Sequence, residues 1–159
     1  MNLLPDWKFE RVSDISAVFL KKEGIGVLLV DLDNTLAPYY HGSPSQATIA
    51  WARHLKASGI DVIVYSNNKT ERPRGFAELL GTEYYVNHAR KPHADKVPEA
   101  LALTHRSIDE CCVVGDQIFT DVLLSKNARC RSILVEPIKL ANPLHIVRFA
   151  LELPWRHTK

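Results

Sequence analysis

The stretch GVLLVDLDNTLAPYY, residues 26–40, sets how the rest of the chain is read. Its first five residues are apolar, as in a strand buried on both faces. Two aspartates, Asp31 and Asp33, follow with only Leu32 between them. Side chains two apart on a strand share a face, so both carboxylates are expected to enter one crevice while Leu32 packs the other way. Carboxylates desolvated together repel strongly, and such a corner must bind protons or a cation.

Outward from this stretch the pattern alternates. Further strand candidates are IDVIVYSN (60–67), EYYVNH (83–88), CCVVGD (111–116) and RSILVEP (131–137). Helix candidates lie around them. Ser13 is expected to cap a helix over 13–23, with Gly24 just past its end, and a cap at Ser43 or Ser45 opens one that runs to Gly59. Others cover 70–80, 93–104, 119–128 and 143–152; Pro98 makes the 93–104 helix start late or kink. The alternation implies an α/β fold with a doubly wound, Rossmann-like parallel sheet of about five strands and helices on both faces. One domain over 1–159 is expected. Its core spans about 24–137, with the 13–23 and 143–152 helices packed on it.

Composition excludes several classes. At 159 residues, 46% hydrophobic and 24% charged, the chain is of ordinary globular type, and a formal charge of +2 gives no reason to expect nucleic acid. Cys111, Cys112 and Cys130 are odd in number and form no CxxC pair, so reduced core cysteines of a cytoplasmic protein are expected. The start, MNLLPDWKFERV, lacks the pattern of a secretory signal, and no stretch approaches the roughly 18 apolar residues of a membrane span.

In a doubly wound sheet the ligand sits beyond the carboxyl ends of the strands, at the switch point of strand order. That edge collects Asp31 and Asp33, then Ser66-Asn67-Asn68, then Lys91, then Asp116 with Asp121 in GDQIFTD. Up to four carboxylates call for a hard divalent cation, Mg²⁺ above all. Around it, a hydroxyl (Ser66), the N–H groups of the following turn and an ammonium (Lys91) suit a dianionic phosphoryl group. One aspartate is then free to attack phosphorus and another to transfer protons. Asp121 is read either as a metal ligand or as the cap of the helix after it.

DLDNT (31–35), the Ser66 turn, Lys91-Pro92 and GDQIFTD (115–121) resemble, in order and spacing, the four motifs of the haloacid dehalogenase (HAD) phosphohydrolase superfamily. The resemblance implies Asp31 as nucleophile and metal ligand. It implies Asp33 as general acid/base with its backbone carbonyl on the metal, and Thr35 as a residue that shapes the loop. Ser66, with the turn at Asn67, would hold a phosphate oxygen, and Lys91 would stabilise nucleophile and phosphate together. Asp116 would ligate Mg²⁺, and Asp121 would ligate it or orient a ligand. LLVDLDNTLAPYY, VYSNN and GDQIFTDVLLSKNARCRSILVEPI resemble the YqeG-type branch of HAD class IIIA, small phosphatases related to phosphatidylglycerophosphate phosphatase. Ser125, Asn127 and Cys130 stand where that branch leads one to expect glycines.

Neither gap between motifs is long enough for a cap domain, so an open site is expected, suited to a large substrate such as a lipid headgroup. A soluble metabolite or nucleotide is the alternative, and a metal-binding module without turnover is the rival from another class. Tyr39-Tyr40, with His41, either line the mouth of the site or pack on the adjacent helix; the seven histidines show no ligand spacing. In the C-terminal segment Asn142-Pro143 opens a helix, and Leu144, Val147 and Leu151 form one stripe. Such a stripe is expected to pack in the core or at an interface between subunits; the flanking Arg148, Arg156 and Lys159 make contact with anionic lipid the other reading.

Overall fold

The computed structural model describes residues 2–140 and 142–158. Six parallel strands form one sheet: β1 (Trp7–Phe9), β2 (Val27–Val30), β3 (Asp61–Tyr65), β4 (Tyr85–Val86), β5 (Cys111–Gly115) and β6 (Arg131–Val135). Their order is β1-β6-β5-β2-β3-β4. The chain winds outward from β2 through β3 to β4, then crosses back to β5 on the other side, so the switch point lies between β2 and β5. The extra strand, β1, was not in the sequence reading; it adds at the β6 edge with Trp7 opposite Ile133.

Period-two alternation of apolar side chains builds two cores. Leu28, Val30 and Leu32 face one side with Val62, Val64, Cys112 and Val114, under Trp51 and Leu55. Val27 and Leu29 face the other with Ile63, Tyr65 and Val113, under Val97 and Leu101. Each such side chain, fully buried, contributes about 1.5–3 kcal/mol.

Six helices connect or flank the strands: α1 (Ala17–Lys22), α2 (Gln46–Ala57), α3 (Arg72–Leu80), α4 (Val97–Thr104), α5 (Leu123–Ala128) and α6 (Pro143–Arg156). Ser45 caps α2 through the Thr48 N–H at 3.2 Å, and Gly59 follows its end with φ of 81°. The first helix is shorter than expected: a 3₁₀ turn occupies Val12–Asp14, and Ser16, not Ser13, caps α1. The fourth starts late, at Val97, which places Pro98 in its first turn where no donor is missed. The 119–128 segment opens as a π-helical turn, Ile118–Val122, before α5. No helix among the described residues is long and apolar enough to cross a membrane.

Helix α6 keeps its apolar stripe out of the core, one of the places expected for it. Asn142 caps it through the His145 N–H at 3.0 Å, and Lys8 Nζ, from β1, binds the carbonyls of Arg156 and Thr158 at its other end at 2.6 and 2.7 Å. The stripe Leu144, Val147, Leu151 is 65%, 57% and 62% exposed. The buried side chains are Glu152 and Arg156. Glu152 accepts from the Phe119 N–H at 3.1 Å, and Arg156 donates to the Asp116 carbonyl and, at 3.1 Å, to Glu152. The loop after β5 is irregular and covered, so its backbone groups need partners, and the polar stripe of α6 supplies them.

Candidate active site

Beyond Val30 the chain leaves the ladder through one last bond, Asp31 N–H to the Val114 carbonyl at 2.8 Å. It then folds tightly: Asn34, Leu36 and Ala37 make a closed turn, with Asn34 in the left-handed region at φ 64°, which asparagine tolerates. The Asn34 amide also grips Lys139, donating to its carbonyl at 2.8 Å and accepting from its N–H at 3.2 Å. The loop that carries the aspartates is thus tied to the segment leading into α6.

Asp31, Asp116 and Asp121 are buried, and one carboxylate oxygen of each lies within 4.8 Å of the others. Lys91, also buried, donates to Asp31 Oδ1 at 2.6 Å and to Asp121 Oδ1 at 2.7 Å. Burial pushes its ammonium toward neutrality, but Asp121 and Asp31 outweigh that and hold it charged. One cation cannot balance three carboxylates. Burial, with Asp31 and Asp121 beside it, pushes Asp116 well above the ordinary range; the Thr35 hydroxyl at 3.2 Å is a weak counterweight. Asp121 is pushed up to about 6, by burial first and then by Asp31. Three converging oxygen ligands with unbalanced charge match what a hard divalent cation takes. Gly115 is required here, since a Cβ at that position would run into the Asp121 carboxylate. Asp121 does not cap α5; its Oδ2 accepts from the Gln117 N–H at 3.1 Å.

Asp33 stands outside this cluster. It is half-buried and paired with Arg72, whose Nη2 and Nε reach Asp33 Oδ1 at 3.1 and 3.3 Å. The same guanidinium binds the carbonyls of His41 and Pro38, which fastens the flap (residues 38–44) to α3. The sequence reading did not single out Arg72: a cation in a helix among Lys69 and Arg74 carries no signal until the flap folds over it.

Ser66 is buried at the end of β3, and its hydroxyl accepts from the Asn68 N–H at 3.1 Å. Asn67, whose turn is expected to offer backbone N–H groups to phosphate, has its side chain committed to the backbone of Lys91. It accepts from that N–H at 2.7 Å and donates to that carbonyl at 3.1 Å, across a cis Lys91–Pro92 bond. A cavity of about 230 Å³ opens where these residues meet, lined by Asp31, Asp33, Ser66, Lys91, Tyr39 and Arg148 among others. Tyr39 therefore lines the mouth, while Tyr40 is 93% exposed. Burial and then Asp31 push the Tyr39 hydroxyl up to about 12. Its ring stacks on His145 of α6 at 4.1 Å. Arg148 donates to Gln117 Oε1 at 2.8 Å and has no carboxylate partner among the described residues. A larger cavity, about 530 Å³ behind the flap, reaches none of the four aspartates.

A parallel sheet whose carboxyl-end edge brings four aspartates, a lysine and a serine to one crevice has the architecture of a HAD-type α/β phosphatase. Residues 88–137 match the HAD-hydrolase-like family. The chain is 33% identical over 135 residues to "Probable phosphatase YqeG" of Bacillus subtilis strain 168, covering 85% of this chain and 78% of that protein. It therefore belongs to the HAD phosphatases, in their YqeG-type branch. Solved structures agree on the fold. The cobalt-bound deoxy-D-mannose-octulosonate 8-phosphate phosphatase of Haemophilus influenzae superposes with a TM-score of 0.57 at 18% identity, over 71% of this chain and 69% of that one. A putative HAD subfamily III A hydrolase from Legionella pneumophila gives 0.53 at 17% identity, over 81% and 73%.

Proposed function

We propose that this phosphatase hydrolyses phosphate monoesters with Mg²⁺ held by Asp31, Asp116 and Asp121, and that Asp31 carries the phosphoryl group between two steps. The observation that supports it best is the buried Asp31–Asp116–Asp121 cluster, pinned by Lys91 and open to a pocket that also receives Asp33 and Ser66. The bound cation would offset the cluster's charge and that of the phosphoryl oxygens. Asp31 attacks phosphorus as the ester P–O bond breaks, and Asp33 gives its proton to the leaving oxygen. Water then attacks the aspartyl phosphate, Asp33 takes the water proton, and inorganic phosphate leaves with Asp31 regenerated. Both Arg72 bonds fall on Asp33 Oδ1, so Oδ2 is the oxygen open to proton transfer. Ser66 and Lys91 hold the phosphoryl oxygens, with Asp33 also offering its backbone carbonyl to the metal.

For substrate, a phosphorylated glycerol headgroup such as that of phosphatidylglycerophosphate comes first, from the branch likeness and from a site that no cap domain covers among the described residues. A soluble sugar phosphate is the second reading, since the Haemophilus neighbour is named for one. Phosphate release from a panel including both, with Mg²⁺ and with chelator, tests the proposal. Turnover lost in Asp31→Asn and in chelator is the expected result; turnover that survives Asp31→Asn overturns the mechanism, and the rank order selects the substrate.

A further inference from the structure

Every exposed side chain of α6 from Pro143 to Pro154 is apolar: Leu144, Ile146, Val147, Ala150, Leu151 and Leu153, with a proline at each end. Ile138 and Leu140, on the approach to the helix, are 48% and 38% exposed. The polar stripe that would ordinarily face water is spent on the Asp116 loop, so the apolar stripe is left outside. A continuous apolar face is rarely left in water by a monomeric protein. Of the charges beside it, Lys139 is exposed and without a carboxylate partner among the described residues, while the half-exposed Glu136 is turned to the buried Arg156 at 3.5 Å. Residues 137–158 carry Lys139, Arg148 and Arg156, and their one carboxylate, Glu152, is buried against Arg156.

We propose that this face lies on an anionic lipid surface, with α6 in the plane of the interface. An apolar stripe enters the acyl boundary while the cations, Lys139 above all, meet the headgroups. A second copy is the weaker occupant, because a symmetric pairing would bring Lys139 and Arg148 of both copies to one seam, while the nearby carboxylates, Glu136 and Glu152, are already engaged by Arg156. The contact bears on the site directly. The inner edge of α6 lines the pocket with Arg148 and stacks His145 on Tyr39, and Glu152 and Arg156 hold the loop that carries Asp116 and Asp121. A helix seated on a bilayer therefore places the pocket mouth at headgroup level.

The docking is independent of the phosphatase mechanism, and its test uses the full-length Asp31→Asn protein so that no lipid is turned over. Co-sedimentation is measured with vesicles of phosphatidylcholine alone and of phosphatidylcholine mixed with phosphatidylglycerol. Binding to the mixed vesicles is expected, falling with added salt. Leu144→Ser/Val147→Ser/Leu151→Ser, its fold checked by circular dichroism, should lower the partition about tenfold or more. Lys139→Glu should weaken binding to the mixed vesicles only. Absence of binding, or binding unchanged in the triple variant, overturns the proposal. So does a dimer of the parent by light scattering that the triple variant reduces to monomer, which would assign the face to a second copy.

Discussion

Helices α2 and α6 are both amphipathic, and they meet the sheet in opposite senses. α2 buries Trp51, Ala52 and Leu55 and turns Arg53, His54 and Lys56 outward. α6 buries Glu152 and Arg156 and turns Leu144, Val147 and Leu151 outward. What differs is the surface each one meets. α2 covers strands whose backbone bonds are already made within the ladder, so only apolar side chains need covering. α6 covers a loop whose Phe119 N–H and Asp116 carbonyl have no ladder, and polar side chains answer them.

The sharpest way to break this comparison is at Arg156. Arg156→Met leaves Glu152 charged, buried and unpaired, and should cost about 3–5 kcal/mol in urea unfolding. Adding Glu152→Leu should recover much of that, as apolar replacement of a buried pair does, yet it frees the Asp116 loop and should weaken Mg²⁺ binding. In α2 the equivalent loss is apolar: Leu55→Ala should cost about 2–5 kcal/mol. If Leu55 and Leu151 substitutions cost alike, the contrast between the helices is wrong.

Charge is also buried at the acidic cluster, and there it does not balance. With Asp121 raised from 3.8 to about 6, the folded protein keeps a proton that the unfolded chain has released between those values. Stability of the metal-free protein should therefore fall as pH rises through that window, and Asp116 extends the loss in the same direction. Mg²⁺ should flatten the profile and raise Tm at neutral pH. Asp116→Asn should raise the metal-free Tm and abolish the Mg²⁺-induced shift, both read by calorimetry. The smallest effect belongs to the outer face of α6, where Leu151→Ser should change stability by less than about 0.5 kcal/mol.

Much of this molecule is legible along the chain because its signals are local. β2, β3, β5 and β6 are apolar runs with turn signals beside them, and each polar group of the site stands within a few residues of such a run. β1 is not legible: three residues pair only with β6, more than a hundred positions away. The clamp of Arg72 on Asp33 is likewise a product of the flap, whose Pro38 and His41 carbonyls define the place for a guanidinium. Asp33 shares the crevice with Asp31 as expected, but it does not join a group of four carboxylates: three converge, and the tight turn at Asn34 carries the Asp33 carboxylate to Arg72.

The alternation of strand and helix, the identity of the carboxylates and their arrival at one edge of a parallel sheet follow from residue type and spacing, since period two and period 3.6 are properties of the backbone itself. The sense in which α6 lies does not. An amphipathic helix has two faces, and the periodicity that reveals them is the same whichever one meets the protein. Only the folded loop after β5, with a donor and an acceptor left to satisfy, draws the polar face of α6 inward and leaves the leucines outside.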